Sequence, residues 1–69
     1  MSFKIFVNDE AIEVEKSTSV EEVLFQVGIK DFAGVAVALE NSVVPREEWD
    51  KTSFKPEQSL IVFTAAQGG

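Results

Sequence analysis

No residue in this chain can staple it. Its 69 residues include neither cysteine nor histidine, which excludes disulfides, zinc sites and iron–sulfur clusters, the usual supports of very small domains. At this length folding buries only about 60% of the surface that the unfolded chain exposes, so a single apolar core has to carry the fold. The residues for it are present: 45% are apolar, and the aromatics are six Phe and one Trp. One domain over residues 1–65 is expected, followed by a flexible tail at 66–69.

The hydrophobic pattern changes period along the chain. "FKIFV" at 3–7 and "AIEVE" at 11–15 alternate with period two around Asn8, Asp9 and Glu10, a turn-forming cluster, and predict a β-hairpin. In "STSVEEVLFQVGI" Ser19 can cap a helix with Glu22 three residues on, and Thr18 with Glu21 is the same device one residue earlier. Val20, Val23, Leu24 and Val27 then fall on one helical face, and Gly28 stands where a left-handed residue would end the helix, with Ile29 as its apolar partner. "VAVAL" at 35–39 reads as a third strand. Glu40 and Asn41 turn the chain into a brief fourth, Ser42 to Val44, which Pro45 terminates. "PREEWDK" predicts one helical turn with a Glu47–Lys51 pair, "KPEQ" a turn, and "SLIVFTA" at 59–65 the last strand. A mixed five-stranded sheet with one main helix packed on one face is an α+β roll, and the arrangement looks like the ubiquitin-like β-grasp, with first and last strands side by side at the centre.

Alternation assigns the faces. If Ile5, Val7, Ile12, Val14, Val35, Val37, Leu39, Leu60 and Val62 point to the helix, the core is aliphatic, and Phe6, Ile61 and Phe63 must point the other way. They would form an apolar patch on a face where alternation normally puts polar groups. Cross-strand packing could account for such a patch; a partner-docking surface accounts for it better. Trp49 is expected as a satellite core residue.

Chemistry is nearly absent. Without His, Cys or Tyr the commonest bases and nucleophiles are missing. Glu21/Glu22 and Glu47/Glu48 are adjacent pairs whose side chains diverge on a helix, and no glycine-rich phosphate loop exists. A formal net charge of −6 with scattered basic residues argues against nucleic acid. It favours solubility, steering towards a basic partner surface, or both. The start "MSFKIFVND" is no signal sequence, and no run approaches the roughly 18 apolar residues of a membrane span, so a cytoplasmic protein without membrane attachment is expected. What remains is the α-carboxylate of Gly69. Behind it, Gly68 and Gly69 lack side chains, so the tip can enter a narrow channel, adopt any φ and ψ, and leave the terminal carbonyl open on both faces.

Four segments, "IFVND", "SVEEVL", "VVPREEW" at 43–49 and the ending "TAAQGG", together resemble the thiamine-biosynthesis sulfur carrier family (ThiS) from end to end of the chain. "VPREEW" is the most discriminating, because other ubiquitin-like carriers share the fold and the diglycine but not this block. The chain departs from the family before the last strand, where Pro56, Glu57 and Gln58 replace an Asp-Gly-Asp type of turn. The resemblance implies that Gly69 is adenylated by a separate ubiquitin-activating-like enzyme using ATP and magnesium. A persulfide sulfur, from a cysteine desulfurase or other donor, then displaces AMP to leave a thiocarboxylate, which thiazole synthase consumes. It implies a carrier that is no enzyme and binds no cofactor or metal itself. Gly68 and Gln67 would be read as the tail; Phe6, Ile61, Phe63 and Arg46 would be the docking contacts. A sulfur carrier of the molybdopterin-synthase small-subunit type and a ubiquitin-like protein modifier are the alternatives that share the diglycine end.

Overall fold

In the computed structural model, whose described residues are 1–64, the chain runs β1 (Ser2–Val7), β2 (Glu10–Glu15), α1 (Val20–Gln26), β3 (Val35–Leu39), β4 (Ser42–Val44), a 3₁₀ turn (Arg46–Glu48) and β5 (Ser59–Thr64). Both hairpins close through two residues in the left-handed region. Asn8 and Asp9 have φ of 50° and 69°, Glu40 and Asn41 of 49° and 73°, the backbone sign that matches the twist of the flanking strands. Two such residues suffice, so Glu10, expected within the turn, instead pairs with Val7 and opens β2.

The strands lie in the order β2-β1-β5-β3-β4. β1 and β5 are parallel, and the other neighbours are antiparallel. With α1 across one face, this is the ubiquitin-like β-grasp. Residue 65, expected to end the last strand, and the tail 66–69 lie outside the described residues.

The amides that open α1 all find acceptors, which is the main requirement at a helix start. Val20 N donates to Thr52 O at 2.8 Å and Glu21 N to Trp49 O at 3.2 Å. Glu22 N donates to Ser19 Oγ at 3.1 Å, and Val23 N to Ser19 O at 3.0 Å. The Glu22 carboxylate reaches back to Ser19 N at 2.9 Å, completing the capping box. Of the two frames that the sequence permits, the Ser19 frame forms, because it aligns Val20 N with Thr52 O across a short bridge of Ser19 to Ser53.

At the other end Gly28, with φ of 96°, donates to Phe25 O at 3.0 Å while Ile29 N donates to Leu24 O at 2.8 Å, the paired bonds of a Schellman stop. Val27 was expected on the buried face with Val20, Val23 and Leu24. It is instead the C-cap, already off helical geometry with ψ of 8°, and is 38% exposed.

The core is continuous. Ile5, Val7, Val14, Val37 and Leu60 from the sheet meet Val20, Val23 and Leu24 from the helix, and Phe32, Trp49 and Phe54 close its margin. Ile12, Val35, Leu39 and Val62 pack against it half-buried. Trp49 is 2% exposed; its Nε1 donates to Val44 O at 2.8 Å, and its ring meets Phe32 edge-on at 5.3 Å. The expected Glu47–Lys51 pair does not form. The helical geometry spans only Arg46–Glu48, too short to stack residues four apart, and the ion pair among the described residues joins the Met1 amino group to Glu15 at 3.6 Å. No helix among the described residues is long and apolar enough to cross a membrane.

Ser19→Ala removes the hydroxyl side of the capping box and should lower stability by about 1 kcal/mol, read as a lower urea midpoint at unchanged slope. Ser17→Ala, at an exposed residue outside the box, should leave the midpoint in place; equal losses for both would remove the cap from the account.

Candidate functional site

Along β5 the side chains alternate between two environments. Leu60 is fully buried and Val62 packs against the core. Ile61 and Phe63, one residue out of phase, therefore project from the face that carries no helix. The registers fill in their neighbours. Ile61 stands opposite Ala38, and Phe63 opposite Ala36; Ala38 in turn stands opposite Val43 on β4. On β1, Phe6 lies between Ala11 of β2 and Ser59 of β5, with the Lys4 ammonium 5.4 Å from its ring centroid.

The open face is thus an apolar band from Ala11 and Phe6 across Ile61 and Phe63 to Ala36, Ala38 and Val43. Phe6 and Ile61 are half-buried among their neighbours, while Phe63 is 55% and Val43 74% exposed. Alanines on β3 matter here, since the residue opposite Phe63 in the register, Ala36, has only a methyl group to set against the ring. Val43 and the two alanines were not among the expected contacts. Alternation along β3 already puts the two alanines on this face; the signal for Val43 lay in the pairing register that brings β4 alongside β3.

Arg46 is brought elsewhere. Its guanidinium lies 5.2 Å from the Phe32 ring and 5.5 Å from that of Trp49, both core aromatics on the helix side of the sheet. Phe32 also meets Phe25 of α1 at 5.4 Å, and Phe25 is largely exposed. The expected docking residues therefore occupy two surfaces: Phe6, Ile61 and Phe63 on the open face, and Arg46 in an aromatic cluster on the other. Both distances are within reach of a cation–π interaction, and Arg46 remains exposed.

β5 is the strand that leads to the carboxyl end. Its last residue, Thr64, pairs with Val35 of β3, at the centre of the sheet. Gln67, Gly68 and Gly69, the expected tail and reactive carboxylate, lie outside the described residues.

The family model of the ThiS family matches residues 3–69. The chain belongs to the ThiS family. The sulfur carrier protein ThiS of Escherichia coli (strain K12) is 30% identical over 66 residues, covering 96% of this chain and 98% of that protein. The crystal structure of a thiamine biosynthesis protein, ThiS, from Geobacter metallireducens superposes with a TM-score of 0.79 at 26% identity, over 97% of this chain and 100% of that one. The resemblance read from "VVPREEW" and "TAAQGG" is thereby borne out. In this ThiS-family chain the match extends past the described residues to residue 69.

Phe63→Asp should keep a denaturation midpoint close to that of the parent chain, because the ring leaves the sheet on the open side. Leu60→Asp, which buries a charge in the core, should abolish cooperative unfolding. A loss of comparable size for Phe63→Asp would mean that the two faces are reversed, the result of a one-residue slip in register.

Proposed function

We propose that this chain is the sulfur carrier of thiazole formation in thiamine biosynthesis, acting in the cytoplasm as a protein co-substrate of its partner enzymes and contributing no catalytic group of its own. The observation that supports this reading is the family match over residues 3–69, in a chain that carries Gly68 and Gly69 and has no His, Cys or Tyr. A free carboxylate is ionised at neutral pH and inert to nucleophiles until one oxygen is made a leaving group.

A ubiquitin-activating-like enzyme supplies that step with ATP and magnesium: the Gly69 carboxylate attacks the α-phosphorus, pyrophosphate departs, and an acyl adenylate remains. The terminal sulfur of a persulfide, formed by a cysteine desulfurase or another donor, attacks the carbonyl and expels AMP. A thiol then cleaves the resulting S–S bond by reduction, leaving the thiocarboxylate from which thiazole synthase takes sulfur. The chain's own contribution is presentation. Gly68 and Gly69 enter the partner's channel without side chains to obstruct them, and Gln67 marks the approach. Phe6, Ile61 and Phe63 dock the body, burying apolar area where rings are already exposed. Arg46, exposed beside its two aromatic neighbours, meets a carboxylate on the partner.

Incubation with ATP, magnesium, the activating enzyme and a sulfur source, followed by intact-mass measurement, tests the reading. Exchange of one oxygen for sulfur is expected. Adducts to lysines of other proteins would favour a modifier, and an unchanged mass with a competent enzyme would sink the proposal. Deleting Gly69, or adding a residue after it, should abolish the exchange while circular dichroism and melting stay as in the parent. In the same assay Phe63→Asp should weaken binding to the activating enzyme.

A further inference from the structure

β1 ends before the strand that it supports. Its parallel pairing with β5 ends at Val7 and Leu60, yet β5 continues to Thr64. Successive residues of a strand direct their N–H and C=O to opposite neighbours, so Leu60 and Val62 both address the β1 side. Leu60 O is satisfied by Asn8 N at 2.9 Å. At that point the chain turns away through Asn8 and Asp9, and no backbone of β1 remains for Val62.

The Asn8 side chain fills the vacant place. Val62 N donates to Asn8 Oδ1 at 2.8 Å, and Asn8 Nδ2 donates to Val62 O at 3.4 Å. A carboxamide carries the same donor and acceptor as a peptide unit, so it can pair with both main-chain groups of one residue as a strand would. Asn also tolerates the left-handed φ that Asn8 adopts. One residue thus closes the hairpin and prolongs the ladder.

We infer that Asn8 is a positioning residue for sulfur transfer: its amide holds Val62, and through it the part of β5 that sets the outward direction of Phe63 and the place of Thr64, the last described residue before the carboxyl end. The inference rests on the proposed carrier function. It concerns how the arm is aimed rather than what is done at its tip.

Asn8→Gly separates the two roles, because glycine suits the left-handed turn while removing only the amide. Asn8→Asp retains an acceptor for Val62 N and loses the donor to Val62 O. In Asn8→Gly, amide exchange of Val62 followed by NMR should quicken about three- to tenfold, the factor set by one net hydrogen bond, with Val23 and Leu24 unchanged. The KM of the activating enzyme for the carrier should rise by a similar factor of about three to ten while kcat stays level. Asn8→Asp should show smaller changes of both. Unaltered Val62 protection in Asn8→Gly would overturn the assignment outright. Faster exchange with unaltered KM would overturn the positioning role but leave the carrier reading intact. Failure of the parent chain itself to be adenylated would overturn both.

Discussion

The parallel seam between β1 and β5 is the contact on which the rest of the sheet depends. Phe6 N donates to Gln58 O and Asn8 N to Leu60 O, each at 2.9 Å. In the order β2-β1-β5-β3-β4 this seam and its neighbour join two hairpins that touch through β5 alone. Without β5 the chain would be two isolated ribbons, and a lone hairpin is at best marginal in water. The last residues to be connected therefore complete the sheet, over nearly the whole length of the chain. The closure entropy of that long loop grows only slowly with its length, and the buried row of Ile5, Val7, Val37 and Leu60 offsets it. A consequence is that the carboxyl-terminal strand lies at the sheet's centre, paired on both sides, whereas chain ends are usually where order fades.

Because side chains alternate, the same strands that hold the fold also supply the surface that is left open. Ile5, Val7 and Leu60 are committed to the helix, and Phe6, Ile61 and Phe63 are free of it by one step of the pleat. The buried core and the open apolar face are therefore assigned to interleaved residues and can be altered independently. The chain's acidity adds a second layer, since its excess of Asp and Glu keeps an otherwise apolar face soluble through net charge. Arg46 stands apart from this face, stacked over Phe32 and Trp49. The "VPREEW" block thus reads structurally as a plug: Trp49 fills the core margin, and Arg46 lies over it.

Most of this architecture was legible because its signals are local. The capping box of Ser19 and Glu22, the stop at Gly28 and Ile29, and the sidedness of β1, β2, β3 and β5 each depend on spacings within a few residues. The departures arise where distant segments decide. Glu10 was ambiguous until the two left-handed residues before it were known to suffice. Val27 has the spacing of a core position, but the helix unwinds one residue before it. The Thr52–Phe54 segment has no period at all, yet it caps α1 through Thr52 O and buries Phe54. Asn8 looked like turn chemistry alone; its bonds to Val62 span 54 residues. For the candidate site, the three open-face residues followed from alternation, whereas the distance of Arg46 from them is a matter of packing that no one-dimensional pattern holds.

A terminal acyl group, once activated, reacts with the first competent nucleophile that it meets, so a carrier's body has to be unreactive around the root of its arm. The composition fits that requirement in one respect. The chain has no cysteine, the side chain whose thiolate is the strongest natural competitor. β5 runs parallel to β1, so it leaves the sheet at the end where β1 closes through Asn8 and Asp9, an amide and a carboxylate. Lys16 and Lys55 line a cleft with Met1, Ser2 and Phe3, at the end where β1 begins. Parallel pairing at the centre is what fixes this polarity: Thr64 stands at the end where β1 closes, opposite Val35 and the loop that carries Lys30. The direction of a single strand thus decides at which end of the sheet Thr64 stands, and among which side chains.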